Sequence, residues 1–427
     1  MERSGTRAVC TSNGAGPQVL VIGGGAAGML AALFAAREGA AVTLLEKNEK
    51  LGKKVYITGK GRCNCTNLCD TEDFLREVPR NPRFLYSALK TLDPEGFLAL
   101  LNTLDCLTKI ERGRRAFPLS DHASDVTKAL EQGLRQAGAR IRLHAEVRRL
   151  LTEGGRVTGV MLSSGETLPA GAVIVCTGGL SYPSTGSTGD GYRWAAESGH
   201  GVTACRPSLT GLETKEEWPR RLQGLTLKNI CLTAQSCGKI IYSEQGEMLF
   251  THYGVSGPLA LECSAHLPAE AKADLALDLK PALTEEQLTH RLIRELAAGG
   301  KKQLSTVLQA LLPLRFAALF PEILRIDGKT PCSQVHGKMR GQIVQALKAL
   351  PLTAEGLRGY NEAIVTRGGV DVKDLNAASM ASRKAAGLYF AGEVIDVDAH
   401  TGGYNLQIAW STGALAGRSA ARYALGL

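Results

Sequence analysis

Three glycines and one acid set the first chemical constraint on this chain. Gly23, Gly25 and Gly28 stand in a G-x-G-x-x-G spacing, with Gly24, Ala26 and Ala27 between them, and Glu46 lies 23 positions after Gly23. Gly23 allows a tight turn, Gly25 lets a pyrophosphate approach the backbone, and Gly28 lets a helix pack closely on a strand. Free N–H groups at the helix start would face the phosphates, and the Glu46 carboxylate could accept from ribose hydroxyls. This is the chemistry of holding a dinucleotide. The plain alternative is a Gly-rich turn beside a surface glutamate.

These residues need a strand, a helix and a second strand to place them. Val19–Ile22 is an apolar run of strand length, a helical pattern continues through Ala36, and Val42–Leu45 is a second apolar run ending at Glu46. The loop LGKKVYITGKGRCNCTN (51–67) comes next, dense in Gly, Lys and small polar residues. Residues 83–138 carry helical periodicity broken at Pro94 and Pro118; strand-like stretches run Ile141–Val147, Val157–Leu162 and Ala172–Cys176, the last leading into Thr177-Gly178-Gly179. From 193 to 365 the texture changes to short strands and then basic helices. It returns to α/β with GLYFAGEVID (387–396) and a Gly-rich turn that opens a long helix over 401–425. The expected class is α/β, with a Rossmann-like dinucleotide-binding domain in two segments, 18–192 and 366–427. The expected insert, 193–365, is β-rich over 193–282 and helical over 283–350. Residues 1–17 read as a disordered polar extension.

Composition narrows the setting. Glycine is 49 of 427 residues, as expected where backbone must approach a ligand in several places. No apolar stretch reaches the roughly 18 residues of a membrane span, and the polar first 17 residues lack a signal core, so a cytoplasmic protein without a membrane partner is expected. Eleven cysteines without a C-x-x-C pair favour reduced thiols. Cys63, Cys65 and Cys69 lack the fourth ligand and the usual spacing of a metal site, so no metal is expected. Net charge is +9, and residues 301–350 hold Lys301, Lys302, Arg315, Arg325, Lys329, Lys338, Arg340 and Lys348 against Glu322 and Asp327. That stretch is either a solvated helical face or the footprint of a phosphate-rich partner such as RNA.

Four segments point the same way: the fingerprint, GKGRCNCTN, TGGLSYPSTGSTGDGY and AGEVIDVDAHTGGYNLQIAWSTG. Together they resemble the two-dinucleotide-binding-domain flavoproteins. More narrowly, they are similar to a bacterial family of FAD enzymes that includes a dehydro-bile-acid reductase and a ribosomal RNA dihydrouridine synthase. LFTHYGVSGP (249–258), in the insert, is also family-like. The resemblance implies a FAD domain split by an insert made of a β-barrel-like part and a helical part. It also implies that Gly23, Gly25, Ala26, Ala27 and Gly28 cradle the FAD pyrophosphate, and that Glu46, with Lys47 beside it, holds the adenosine ribose. Thr58, Gly59, Gly61, Arg62, Cys63 and Asn64 would line the flavin. Val147 would meet adenine through its main chain, Thr177 and Gly178 would cover the adenosine side, and Gly392 and Glu393 would lie near the ribityl chain. Gly403, Tyr404, Asn405, Leu406 and Gln407 would bring a helix N-terminus to the flavin pyrimidine edge, where reduced flavin is anionic. Asn405 could equally cap that helix.

No second G-x-G-x-x-G follows a strand; Gly186–Gly191 looks similar but follows a Pro-containing loop and reads as a turn near FAD. Either NAD(P)H docks transiently as electron donor, or another reductant serves. Both activities in the family saturate a C=C bond conjugated to a carbonyl. Hydride reaches the β-carbon, an acid protonates the α-carbon, and donors hold the enolate oxygen. Candidate acids are Cys63, His252, His400 and Tyr404, the two histidines foremost, each with an ordinary structural role as the alternative. The leading expectation is an NAD(P)H-linked reductase of a small enone-like molecule. A ribosomal RNA dihydrouridine synthase using the basic 301–350 stretch is the second, and a flavin-binding electron relay the third. The segment DVDAHTGGYN sits closer to the small-molecule branch.

Overall fold

The computed structural model describes residues 18–427; the expected 1–17 extension lies outside the described residues. The chain forms two compact units, one made of residues up to 206 together with 366–427, the other of residues 207–365. In chain order the first unit supplies strand β1 (Gln18–Ile22), helix α1 (Ala26–Arg37), β2 (Ala41–Leu45), β3 (Arg140–Arg142), β4 (Ala172–Val175) and β5 (Val202–Ser208). The second unit supplies β6 (Leu212–Thr214), β7 (Thr226–Ser236), β8 (Lys239–Phe250), β9 (Gly254–Ser256), β10 (Ala273–Asp278) and β11 (Leu350–Leu357). Between the last two lie the long helices α2 (Glu285–Gly299) and α3 (Gly337–Lys348). The chain returns through β12 (Val365–Val370), β13 (Leu388–Phe390) and α4 (Tyr404–Leu425).

In the first unit, β1 lies at the centre of a five-stranded parallel sheet of order β13-β4-β1-β2-β3. Val19–Ile22 and Ala172–Val175 are buried throughout, as a parallel sheet covered on both faces requires. Helices α1 and α4 cover one face in unusually close contact. A Cβ on Gly413 would collide with Ala27 O, and one on Gly417 with Ala31 O, so only glycine lets the backbones meet. The expected strand Ile141–Val147 is two elements: β3 stops at Arg142, and Val147 begins a separate antiparallel strand, Val147–Glu153. A left-handed His144 (φ 54°) marks the break between them.

In the second unit, six strands close a barrel in the order β6-β9-β8-β7-β10-β11. Leu232, Phe250 and Leu275 share one apolar core with Leu288, Leu292, Phe316 and Leu347 of the helices that come after β10. Helix α2 starts from a reciprocal capping box between Thr284 and Gln287, which satisfies orphan backbone donors. The expected first boundary at 193 is corrected to 206/207. Tyr192, Trp194 and Ala195, on the helix Asp190–Glu197, are buried in the core of the first unit, so the α/β layer runs past the point where the sequence texture changes.

Candidate cofactor and active site

The fingerprint turn is built as its spacing demands. Gly23 takes a φ of +99°, and a Cβ on Gly28 would land on Gly23 O, so both positions need glycine. Gly25 starts α1 with no side-chain cap, the first helical bond being Met29 N–H to Gly25 O. A Cβ at Gly25 would meet nothing within 4 Å. An uncapped helix start facing open space is a ready anion site, because its first N–H groups have no partner within the helix.

Glu46, at the end of β2, is buried and reaches back to this turn. Its Oε2 accepts from Gly24 N–H at 2.6 Å, and its Oε1 accepts from the Asn48 N–H and Nδ2 at 2.8 and 2.7 Å. Lys47 Nζ turns to Asp190 (3.0 Å) and Thr188 (2.6 Å), while Asn48 Nδ2 also donates to Thr185 O, bringing the Gly186–Gly191 loop beside Glu46. Burial works against the Asp190 carboxylate, but Thr188 and Lys47 together hold it below its ordinary value. Ala145 N–H donates to Glu46 O, two residues before the buried Val147. Thr177 Oγ1 is buried without a hydrogen-bond partner, and Gly178 is left-handed at φ +71°. Glu46, Lys47, Val147 and the 177–191 loop thus form one neighbourhood.

A second neighbourhood gathers around Glu393. Its Oε2 pairs with Lys54 Nζ at 2.7 Å, and its Oε1 accepts from Ser181 Oγ and Thr366 N–H, both at 2.8 Å. Thr366 Oγ1 accepts from the Leu180 and Ser181 N–H groups. Gly392 is pressed onto α1, where a Cβ would sit 2.7 Å from Ala27 Cβ. Sequence reasoning found Gly392 and Glu393 but missed Lys54, Ser181 and Thr366. The paired glycines after Arg367 were the available signal.

The loop 58–64 and the start of α4 come together. A Cβ on Gly403 would sit 2.5 Å from the Thr66 carbonyl carbon, Asn67 Nδ2 donates to Gly402 O at 3.3 Å, and Trp410 Nε1 donates to Cys65 O at 3.0 Å. Gly59 and Gly61 are left-handed and exposed, Thr58 Oγ1 donates to Val55 O, and Asn64 Oδ1 is buried without a partner. The Arg62 guanidinium is held by Asp121 (2.6 Å) and Glu111 and lies 4.1 Å over the Phe117 ring. Helix α4 begins at left-handed Gly403, again with no side-chain cap. Asn405 does not cap it: Asn405 accepts from Ala399 N–H and donates to the Ala399 and His400 carbonyls, bracing the loop ahead of the helix.

One expectation needs correction, and another position is more enclosed than its motif suggests. Gln407 is wholly buried; its Nε2 donates to Leu92 O and Ser411 Oγ, its N–H closes the first turn on Gly403, and its Oε1 is buried without a hydrogen-bond partner. Cys63 is also wholly buried, its sulfur 3.9 Å from Cys65 Sγ. A proton donor must reach its substrate, so Cys63 leaves the set of candidate acids.

Of the other candidate acids, His400 is 18% exposed and its Nδ1 lies 3.0 Å from Glu77 Oε2, while its own N–H donates to Glu77 O. Glu77 gave no sequence signal. Tyr404 meets the Phe74 ring edge-on at 5.2 Å, and burial pushes its hydroxyl well above the ordinary tyrosine value. His252, in the second unit, is exposed on the loop before β9, its ring 5.0 Å from that of Tyr253. Of the basic stretch, Lys301, Lys302, Arg315, Arg325, Lys329 and Lys338 are exposed, whereas Lys348 is tied to Asp278 at 2.6 Å.

Comparison with known proteins places the whole architecture. Residues 17–419 match the family described as HI0933-like protein Rossmann domain. A 3-dehydro-bile acid delta(4,6)-reductase of Clostridium scindens is 33% identical over 94% of this chain and 98% of its own. A ribosomal RNA dihydrouridine synthase of Haemophilus influenzae is likewise 33% identical, over 92% of this chain and 96% of its own. Among solved structures, the fold is similar to that of a 3-ketosteroid delta1-dehydrogenase from Sterolibacterium denitrificans, with a TM-score of 0.50 at 16% identity, covering 96% of this chain and 99% of that one.

Proposed function

The chain belongs to the HI0933-like family, and from that premise we propose that it is a FAD-dependent oxidoreductase that reduces a C=C bond conjugated to a carbonyl in a small molecule, with NAD(P)H as a transient electron donor. The observation that carries the reading is the uncapped start of α1 at Gly25, open on its outer side, with the buried Glu46 carboxylate joined to the same turn. The residues fit FAD on two further counts. Thr177 Oγ1 and Asn64 Oδ1 are buried polar atoms awaiting partners, and the start of α4 offers a second set of free N–H groups.

In this reading Gly25, Ala26, Ala27 and Gly28 present backbone N–H groups to the pyrophosphate, Gly23 makes the turn, and Glu46 accepts from the adenosine ribose. Lys47, Val147, Thr177 and Gly178 enclose the adenosine. Gly392 and the Lys54-neutralised Glu393 support the middle of the cofactor, while Thr58, Gly59, Gly61, Arg62, Asn64 and the backbone of Gly403, Tyr404, Asn405 and Leu406 border the flavin. Bound FAD supplies hydride transfer. The positive end of α4 favours negative charge at that border. His400, oriented by Glu77, is the leading proton donor to the substrate α-carbon, with His252 and Tyr404 as the other candidates.

The test is to purify the protein, read its flavin by absorbance, and follow anaerobic bleaching by NADH and NADPH before adding a steroidal enone. Bleaching that the enone reverses supports the reading. A protein that takes up no FAD, or whose FAD neither pyridine nucleotide reduces, sinks the reductase assignment; in the second case an electron relay becomes the better account. The six exposed basic residues between 301 and 338 favour a second reading, ribosomal RNA dihydrouridine synthesis in the cytoplasm. Nucleoside mass spectrometry of ribosomal RNA from a deletion strain decides it: a lost dihydrouridine restored by the gene supports this reading, and an unchanged profile removes it.

A further inference from the structure

The hairpin formed by Thr108–Glu111 and Arg115–Pro118 turns through Arg112, Gly113 and Arg114, so three arginines surround one glycine at its tip. The tip lies in the first unit and is tied to the border assigned to the flavin. Arg115 stands opposite Asn67 in an antiparallel ladder, and Asn67 Nδ2 donates to both Gly113 O (3.0 Å) and Gly402 O (3.3 Å). Leu68 N–H donates to Arg114 O at 2.8 Å. Directly opposed residues in such a ladder have Cβ atoms about 5 Å apart. Arg115 therefore rises beside the residue that touches the turn opening α4.

The acids of this hairpin are already engaged. Glu111 and Asp121 are taken by Arg62, and Asp121 also by Lys109 at 2.6 Å, so two cations and two anions balance. Asp73 is shared by Arg76 (2.8 Å) and Arg114 (3.2 Å). Arg112 and Arg115 are exposed, and among the described residues neither has a carboxylate partner. Arg115 Nε donates to Arg112 O at 3.1 Å, which holds the two together. Glu111 faces Arg115 and Lys109 faces Phe117 across the ladder, so these four side chains share one face. Arg62 lies over the Phe117 ring at 4.1 Å and Arg115 at 5.8 Å. The balanced set fixes that face and leaves the Arg115 charge uncompensated on it.

A guanidinium stays charged at every working pH and matches phosphate oxygens in a planar fork. The FAD pyrophosphate is assigned to the α1 turn, so these two arginines are left for another phosphate that comes to the flavin border. A nicotinamide nucleotide docking without a Rossmann domain of its own needs such a group, and a nearby arginine is how dinucleotide sites accommodate a 2′-phosphate. An exposed position also suits a donor that must leave after each turn. We propose that Arg115 and Arg112 bind the 2′-phosphate of NADPH, making NADPH rather than NADH the reductant. The assignment rests on the flavin-oxidoreductase reading for its hydride acceptor, while the phosphate preference is measurable without turnover.

The probes are adenosine 2′,5′-bisphosphate and 5′-AMP, which differ only in the 2′-phosphate, titrated by calorimetry into the purified protein with its flavin. The wild type is expected to bind the bisphosphate roughly ten- to a hundred-fold more tightly, the range of a charged hydrogen bond. Its flavin should be bleached with the same order of preference for NADPH over NADH in kcat/KM. Arg115→Gln should bring both ratios close to one, Arg112→Gln should lower them less, and Arg115→Lys should keep part of the preference. Equal binding of the two probes by the wild type overturns the proposal, as does a preference that survives Arg115→Gln undiminished. Should that variant fail to fold, Arg112→Gln, on the exposed turn, carries the same test, and an undiminished ratio there overturns the proposal too. Flavin that neither nucleotide bleaches would count against the oxidoreductase reading, while the probe ratio would still decide the role of the arginines.

Discussion

A Cβ added at Gly25 would meet open space, and its φ of −79° suits any L-residue. Gly25→Val should therefore fold with a melting temperature close to the wild type yet purify without flavin, since the branched side chain takes the space assigned to the pyrophosphate. Flavin retained by that variant would contradict the site. At His400 the expectation is kinetic. His400→Ala should slow enone reduction by about 100-fold or more while flavin reduction by NAD(P)H persists, the usual scale of a lost general acid. Glu77→Gln removes a negative charge 3.0 Å from the imidazole, so the pH–rate limb that reports His400 should move to lower pH. An unmoved limb would reduce Glu77 to a structural contact. His200 gives a separate test of stability. It is buried between Ala195 O and Ser382 Oγ, and burial lowers its pKa below 6.5. A depressed histidine favours the fold above its unfolded pKa, and that contribution disappears as pH falls through and below 6.5. Melting temperature should thus drop between pH 7.5 and 5.5, and drop less in His200→Asn. These residues differ in how openly the sequence announces them. Gly23, Gly25 and Glu46 can be read from spacing, because the turn they make is local. Glu77 and Lys54 cannot, because their partners stand 323 and 339 positions away.

Helices α1 and α4 meet through backbone, and the absence of side chains at Gly413 and Gly417 makes that possible. Gly417→Leu should cost at least the 1–3 kcal/mol typical of overpacking, and more because Ala31 O is main chain and cannot rotate away. Flavin affinity should fall with it, since α1 and the start of α4 both border the cofactor in this reading. A variant with wild-type melting and flavin content would show that the crossing can relax. The long helix was legible from its Gly-rich turn and apolar content, and the first β-α-β unit from period and composition. The break at His144 was not, because an apolar pattern running from 141 to 147 carries no mark of the left-handed residue that divides it. Gln407 is a similar case: its Nε2 is taken by Leu92 O, a contact across 315 positions that no local pattern encodes, while its Oε1 has no partner.

Each of the two units has its own apolar core, one organised by the parallel sheet and the other by the barrel and its helices. Heating should therefore resolve two transitions, and FAD at about 100 times its dissociation constant should stabilise only the first unit, by about 2.7 kcal/mol. Calorimetry checks this; a single transition that shifts as a whole would mean that the units unfold together. The discontinuity of the first unit was legible because the α/β texture lapses and returns. Its edge was misplaced by some 14 residues, since the helix Asp190–Glu197, buried in the first unit, resembles the insert in its composition. That discontinuity also orders events during synthesis. The strand β13 that edges the sheet leaves the ribosome about 350 residues after α1, a wait of roughly 20 to 70 s at ordinary elongation speeds. The barrel can complete itself in that interval. The parallel sheet cannot, and the nascent first half must keep the face of α1 that Gly413 and Gly417 will cover free of other chains until the last helix arrives.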